Sequence, residues 1–364
     1  MESFRSSSFK YSLPNAPKKN APKTNESKTN PLIKQIRLAQ VTTVMVLFRS
    51  QVKNIARLRY FSTKSIIRSS YQTDVKRKTL LDIQRLYETK SPISVVTAYD
   101  YITGKYAECA DIDINLIGDS LAMVALGYED TTEIPFDEFL YHTKAVLRGN
   151  KLSFIVADIP FGCTEISVEQ AVSSAIKLVK YGKVQAVKIE GGSDIVPTVK
   201  KLSSVGIPVM AHVGLTPQRH NALGGFKVQG NSTEKALEIY RDCLDLQEAG
   251  AFALLLECIP NKLSEYITNN LSIPTIGIGA GPACSGQVLV MSDLLGMGDP
   301  KNSMKPKFVK QYNDFFSSAQ RSLNTYKKDL QHGKFPLADD HGFKIKKEVF
   351  HDFKMQADSM KKAN

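Results

Sequence analysis

Four apolar runs in this chain end at acidic residues, and these acids are the side chains best suited to chemistry. The runs are short and lack regular polar alternation, a pattern that predicts strands of a fully buried parallel sheet. They are Ile114–Asp119, Phe154–Asp158, Ala186–Glu190 and Ala253–Glu257. A carboxylate is costly to remove from water. Several carboxylates at one end of a parallel sheet therefore predict a site for a hard cation with a spare base.

Asp119 and Asp158 are the candidate metal ligands, because they end what we predict to be neighbouring strands. Two aspartates in that position can hold Mg²⁺ by part of its octahedron and leave positions for substrate and water. Helix capping or a salt bridge in a loop is the alternative for either residue. Ser120 is adjacent, and its hydroxyl could cap the following turn or reach a substrate oxygen.

Lys188 and Glu190 lie two positions apart on the fourth predicted strand, so their side chains share one face. The pair could be a structural ion pair. The functional alternative is a lysine that neutralises a substrate carboxylate, beside a glutamate in the outer shell of the metal. His212, on the fifth predicted strand, is either a core histidine or a hydrogen-bond donor to substrate.

Glu257 is the candidate general base. It follows Leu254, Leu255 and Leu256, which predicts apolar surroundings. A carboxylate there is suited to remove a proton from the carbon next to a metal-bound carbonyl. The glycine-rich segment 277–281 resembles a phosphate loop but lacks the G-x-G-x-x-G spacing, which favours close backbone packing around a ligand.

Strand-length and helix-length segments alternate after Lys78 and would position these residues. Eight strands with helical crossovers favour a (β/α)₈ barrel at residues 74–304 over an open doubly wound sheet, followed by a helical tail at 305–364. The predicted strands are Ser94–Asp100, Asn115–Ser120, Phe154–Pro160, Ala186–Gly191, Pro208–Val213, Ala253–Ile259, Pro274–Gly279 and Val288–Leu294.

Helices are predicted between most of these strands, with caps at both ends. Ser167 and Ser232 are expected at helix N-termini, and Gly182, Gly206 and Gly250 at C-termini. The helical segments are Val168–Tyr181, Asp194–Val205, Thr233–Ala249 and Asn261–Asn269.

The net charge of +12 lies entirely in residues 1–73, which hold 14 Lys/Arg and two acids. Residues 74–364 hold 34 basic and 34 acidic residues, so the body has no electrostatic reason to bind nucleic acid. The five cysteines form no C-x-x-C pair, so neither a zinc site nor a disulfide framework is predicted.

The basic leader at 1–73 resembles a mitochondrial transit peptide and predicts a matrix location. Its first 31 residues have a disordered composition, and the amphipathic segment 33–68 interleaves arginines with apolar residues. A processing site is expected at 59–62, and Met45 is an alternative start. An interfacial helix and an RNA-binding arm are the alternatives. The apolar stretch 41–48 is too short for stable membrane insertion.

Eight ordered motifs across about residues 79–343 closely resemble the ketopantoate hydroxymethyltransferase family. The segments that carry the resemblance are 96–100, 117–121, 157–161, 187–192, 212–218, 224–230, 256–260 and 276–281. The resemblance implies a phosphoenolpyruvate mutase-like TIM barrel that assembles as a decamer. It also implies Mg²⁺-dependent transfer of a hydroxymethyl group from 5,10-methylenetetrahydrofolate to 3-methyl-2-oxobutanoate through an enolate, in pantothenate biosynthesis.

The resemblance also implies residue roles. Asp119 and Asp158 would bind Mg²⁺ and face the substrate, with Glu190 in the outer shell through water. Ser120 and Lys188 would hold the carboxylate of the oxo acid. Tyr99 and His212 would line the site, and Glu257 would be the base. Ala122 stands where the family often has glycine. Segment 338–343 differs from the usual sequence of the family's C-terminal tail.

Two other functions remain open from sequence. The first is a Mg²⁺-dependent 2-oxo-acid lyase or phosphonomutase, which would use the same enolate chemistry without folate. Its usual mobile-loop cysteine or asparagine arrangement is not found. The second is a basic RNA-binding protein on an inactive barrel, whose only support is the charge of the leader.

Overall fold

The computed structural model describes residues 76–301 and 305–363. The predicted leader, its processing site and the alternative start all lie outside the described residues. None of the helices within the described ranges is long and apolar enough to cross a membrane.

Eight parallel strands pair in chain order, and β1 closes the sheet against β8. This closed barrel confirms the predicted fold and excludes the open doubly wound sheet. The strands are β1 (Ile93–Thr97), β2 (Ile114–Ile117), β3 (Phe154–Asp158), β4 (Ala186–Glu190), β5 (Val209–Gly214), β6 (Ala253–Glu257), β7 (Thr275–Ile278) and β8 (Gly286–Leu289).

The prediction for the last strand, Val288–Leu294, was wrong beyond Leu289. Strand β8 ends at Leu289, and Met291–Leu295 is a short helix. The pairing of β8 with β1 ends at the residues Val96 and Leu289. Beyond it, the backbone N–H of Met291 donates to the side chain of Thr97, at Oγ1 and 3.0 Å, instead of continuing the strand pairing. An apolar run fits a buried strand or a helical turn equally well, so only the end of the pairing decides where the strand stops.

Helices follow most of the strands, and the last three helices belong to the tail. They are α1 (Leu80–Glu88), α2 (Tyr101–Cys109), α3 (Phe136–Gly149), α4 (Val168–Lys177), α5 (Val196–Ser204), α6 (His220–Leu223), α7 (Thr233–Glu248), α8 (Asn261–Asn270), α9 (Met291–Leu295), α10 (Phe315–Gln331), α11 (Ala338–His341) and α12 (Lys347–Ala363).

The predicted N-caps are confirmed, and one predicted C-cap is wrong. Ser167 accepts a hydrogen bond from the third residue of α4, and Ser232 does the same for α7. Gly206 and Gly250 have positive φ just beyond their helices. Gly182 instead ends a π-helical turn that continues α4, and Lys183 takes the left-handed conformation with φ 62°. The wider turn moves the helix end by one residue.

Two apolar clusters lie on opposite faces of the sheet. One lies between the strands and the outer helices and includes Ile155 and Ala157. The other fills the barrel interior, includes Phe154 and Val156, and is extended by Ile83 of α1. Because successive strand residues face opposite ways, the next interior position of β3 after Val156 is Asp158. The interior cluster therefore supports a polar layer at the C-terminal ends of the strands.

Candidate active site

The acidic residues predicted from the strand ends lie at one end of the barrel. Asp158, Glu190 and Glu257 are the last residues of β3, β4 and β6. Asp119 lies two residues beyond the end of β2, and its backbone N–H donates to Asp158 Oδ2 at 2.9 Å. Asp119, Asp158 and Glu190 are each at most 4% exposed. Carboxylates buried to this degree require compensating charge or hydrogen bonds.

Lys188 supplies much of the compensating charge. Its Nζ lies 3.0 Å from Asp158 Oδ1 and 3.3 Å from Glu190 Oε1. The contact between Lys188 and Glu190, predicted from strand alternation, is confirmed. The register of β3 with β4 also places Asp158 beside Lys188. Burial disfavours the charged amine, but the nearby carboxylates, chiefly those of Asp158 and Glu190, raise the pKa of Lys188 above its usual value. Lys188 is therefore an ammonium group.

The same lysine keeps Glu190 ionised. Burial acts to raise the pKa of Glu190, but Lys188 and His212 outweigh it and lower that pKa to about 2. The backbone N–H of Gln218 also donates to Glu190 Oε2 at 3.0 Å. Glu190 is thus a fixed negative charge at neutral pH.

His212 connects Glu190 with the candidate base. Its Nδ1 lies 3.2 Å from Glu190 Oε1, and its Nε2 lies 3.2 Å from Glu257 Oε2. Burial and Lys188 oppose protonation, but the two glutamates raise the pKa of His212 to about 9. Lys188 Nζ also lies 3.3 Å from Nδ1. Nε2 is buried and faces the Glu257 carboxylate, although the two groups are not aligned as a hydrogen bond.

Tyr99 and Ser120 differ in what their hydroxyls contact. The Tyr99 hydroxyl is hydrogen-bonded to Thr97 Oγ1 at 2.6 Å and lies among buried residues. Ser120 Oγ is buried and has no hydrogen-bond partner. A Cβ on Gly118 would lie 3.0 Å from Ser120 Oγ and 3.2 Å from Thr97 Cγ2. The absence of a side chain at Gly118 therefore lets the hydroxyl pack close to β1.

Gln218 also belongs to this cluster, and the sequence analysis gave it no role. It lies in the 3₁₀ turn Pro217–Arg219 after β5 and is 7% exposed. Its Nε2 donates to Asp119 Oδ2 at 2.7 Å and to the Ile159 carbonyl oxygen at 3.0 Å. A polar residue directly after a strand and a proline was the only signal that could have identified it.

The arrangement fits a divalent cation that is held by few protein ligands. Within 76–301 and 305–363, no group of three or more His, Cys, Asp or Glu side chains is placed to bind a metal ion by protein ligands alone. Mg²⁺ is usually bound through one or two carboxylates, with water and substrate completing the octahedron. Burial and the charges of Asp158 and Glu190 raise the pKa of Asp119 well above its usual value, so a positive charge is lacking there.

Comparison with known proteins gives consistent matches to one family. A family model described as ketopantoate hydroxymethyltransferase matches residues 77–338. A 3-methyl-2-oxobutanoate hydroxymethyltransferase from Emericella nidulans is 45% identical over 285 residues, which cover 78% of this chain and 81% of the relative. One from Moorella thermoacetica is 48% identical over 268 residues, 74% of this chain and 98% of the relative.

Among solved structures, phosphoenolpyruvate phosphomutase from Streptomyces platensis subsp. rosaceus is 13% identical. That match covers 78% of this chain and 98% of the other, with a TM-score of 0.49.

Proposed function

The chain belongs to the ketopantoate hydroxymethyltransferase family, and from that premise we propose that it converts 3-methyl-2-oxobutanoate to ketopantoate. The proposed donor of the hydroxymethyl group is 5,10-methylenetetrahydrofolate, and the proposed metal is Mg²⁺. One observation carries the proposal for the site. Ser120 Oγ is buried without a hydrogen-bond partner, directly after the buried carboxylate of Asp119. A buried polar atom without a partner requires an explanation, and a substrate oxygen would supply the missing hydrogen bond.

The binding roles follow from charge and hydrogen-bonding capacity. Asp119 and Asp158 would hold Mg²⁺, and Glu190 would act on it through water. Mg²⁺, when bound, would supply Lewis acidity that polarises the 2-oxo group and makes the C3 proton more acidic. The Lys188 ammonium and the Ser120 hydroxyl would bind the carboxylate of the oxo acid. Tyr99, held by Thr97, would form an apolar wall for the substrate.

Glu257 would remove the C3 proton onto a carboxylate oxygen. Its side chain is 14% exposed, and it follows three buried leucines, so little water competes for the base. The ring of His212, whose Nε2 lies 3.2 Å from Glu257 Oε2, would hold the carboxylate in place before the transfer. The folate methylene, opened at N10 to the N5-iminium ion, would accept the enolate carbon, and the carbon–nitrogen π electrons would pass to N5. Water would then displace N5 from that carbon, giving the hydroxymethyl group, and the proton lost by the water would go to N5 of the departing tetrahydrofolate.

The test is proton NMR of 3-methyl-2-oxobutanoate in D₂O with the full chain. With Mg²⁺ we expect loss of the C3–H signal, and with EDTA we expect its retention. Addition of 5,10-methylenetetrahydrofolate should then produce ketopantoate. Exchange without product would contradict the proposed donor. No exchange by folded protein in Mg²⁺ would contradict the proposed mechanism as a whole.

We also propose that the protein assembles as a homo-oligomer, with ten subunits as expected for the family. The tail supports this proposal, because α10 and α12 expose apolar side chains and α10 buries no residue. The exposed side chains include Leu323, Tyr326, Phe350 and Phe353. Contact with a neighbouring subunit would cover them. Sedimentation velocity of the full chain tests the proposal, and a monomer at micromolar concentration would contradict it.

A mitochondrial matrix location is proposed from the composition of the leader alone. We expect fractionation of cells that express the chain with a C-terminal tag to place it in the matrix. We also expect N-terminal sequencing to find a start near residues 59–62. A mature protein that retains residues 1–73 in the cytosol would contradict this proposal.

A further inference from the structure

We infer that Gln218 is a positioning residue that holds Asp119 oriented for a divalent cation, an inference that rests on the proposed function. Gln218 is anchored by a turn that follows β5. Pro217 occupies the first position of this 3₁₀ turn, where its fixed φ suits helical backbone, and Arg219 N donates to the Thr216 carbonyl oxygen at 2.9 Å. The turn brings both the backbone and the side chain of Gln218 to the barrel mouth.

The backbone and the side chain of Gln218 contact different strand ends. Its N–H donates to Glu190 Oε2 at 3.0 Å, a bond that every residue except proline could make. Its side-chain amide reaches across to Asp119, beyond β2, at 2.7 Å. Side-chain substitutions therefore remove the contact with Asp119 and leave the contact with Glu190.

The second bond of the amide fixes its orientation. Nε2 also donates to the Ile159 carbonyl oxygen at 3.0 Å, so both amide hydrogens are used. Ile159 is itself held to the barrel, because its N–H donates to the Lys188 carbonyl oxygen at 2.9 Å. The two partners of Nε2, Asp119 Oδ2 and the Ile159 carbonyl oxygen, are acceptors. Exchanging Nε2 and Oε1 of the amide would place Oε1 next to both of these oxygens. The amide is therefore a donor to Asp119.

A neutral donor suits a cation ligand better than a charged one. Within the described part of the chain, Gln218 Nε2 is the one group that hydrogen-bonds to the Asp119 carboxylate. Lys188 Nζ instead lies within 3.3 Å of Asp158 and Glu190. The amide fixes the rotamer of Asp119 against repulsion from these two acids, yet it does not neutralise the carboxylate. Asp119 Oδ1, which Gln218 does not contact, remains available to a cation.

The test is the affinity for Mg²⁺ without substrate, measured by titration calorimetry with MgCl₂ on the full chain. Gln218→Met keeps the side-chain length and removes both donated bonds. We expect it to weaken Mg²⁺ binding by about 10- to 100-fold, as loss of an outer-shell partner does. Gln229→Met is the matched control, because the Gln229 amide donates only to the Lys227 carbonyl oxygen of its own loop. It should bind Mg²⁺ as the wild type does.

Melting in EDTA separates positioning from a structural role. A merely structural glutamine would lower the melting temperature in EDTA without changing the Mg²⁺ affinity of the folded variant, and that result would overturn the inference. If Gln218→Met does not fold, Gln218→Asn decides in the same way, because its amide is one methylene too short to keep both bonds. Failure of the wild type to bind Mg²⁺ would overturn the proposed function as well. Loss of binding in Asp119→Ala but not in Gln218→Met would overturn this inference alone.

Discussion

The interior of the barrel contains two layers built on the same faces of the same strands, and they differ in chemistry. In the lower layer Phe154 and Val156 of β3 are packed among apolar side chains. Two residues further along, Asp158 is equally buried but charged. The same change occurs on β4, β5 and β6, from Ala186 to Lys188, from Met210 to His212 and from Leu255 to Glu257. Along each of these strands, the apolar layer and the layer suited to catalysis are therefore only two residues apart.

The two layers contribute to stability in opposite ways. Each large side chain buried in the lower layer contributes about 1.5–3 kcal/mol through the apolar area removed from water. The upper layer places six ionisable side chains close together, and desolvation of charges offsets much of their mutual attraction. Stability alone would favour apolar residues in both layers. The charged layer is therefore explained by its chemistry, and substitutions in the two layers should affect different measurements.

Glu257→Gln should produce the largest effect and should affect only catalysis. The variant retains the shape of the side chain but cannot accept the C3 proton. We expect Mg²⁺-dependent exchange of that proton to slow by about 10²- to 10⁴-fold, as loss of a general base does. Proton NMR in D₂O gives the rate, and titration calorimetry should show that the oxo acid still binds.

Glu265→Gln is the control for this prediction. Glu265 lies on the exposed side of α8 and pairs with Lys262 at 2.7 Å. It should exchange the C3 proton at the wild-type rate. Exchange at that rate in Glu257→Gln would remove Glu257 from the role of base.

Phe154→Ala should affect the other layer and leave the site chemistry intact. Phe154 is 1% exposed, and its ring meets that of Phe252 edge-on at 5.8 Å. The cavity and lost contacts should lower the free energy of unfolding by about 3–5 kcal/mol. Urea unfolding at fixed protein concentration measures this free energy. At urea concentrations below the unfolding transition, the Mg²⁺ affinity should match that of the wild type.

Phe226→Ala is the matched control, because Phe226 is 58% exposed. It should change the free energy of unfolding by less than about 0.5 kcal/mol. Equal destabilisation by the two phenylalanine substitutions would contradict the division into layers.

Ser120→Ala should give the smallest effect and separates binding from stability within the upper layer. The hydroxyl is buried without a partner, so its removal should not lower the free energy of unfolding. If Ser120 donates to the substrate carboxylate, the KM for the oxo acid should rise about 10-fold with kcat nearly unchanged, as expected for one hydrogen bond to a charged group.

The control is Ser322→Ala on α10, where the hydroxyl donates to the carbonyl oxygen one helical turn earlier. It should leave the KM unchanged. A loss of stability in Ser120→Ala with an unchanged KM would indicate that the hydroxyl is structural.

Much of the fold was predictable because its signals are local. An apolar run that ends in an acid, such as Phe154–Asp158, marks both a buried strand and the end of the barrel at which it stops. The last strand was misplaced because Val288–Leu294 fits a strand or a helix by pattern. The C-cap at Gly182 was misplaced because a π-helical turn leaves no clear signal in the sequence. Gln218 was missed because its partners, Asp119 and Ile159, are distant in the chain.

The sequence by itself determined that eight buried strands alternate with helices and that acids stand at four of their ends, since strand period and strand ends are properties of neighbouring residues. Only the tertiary structure decided which charges meet. The register of β3 with β4 places Asp158 beside Lys188, and that of β4 with β5 places Glu190 beside His212. Barrel closure and the turn after β5 then bring these groups into one buried layer, where the exclusion of bulk water makes each contact decisive for charge and orientation.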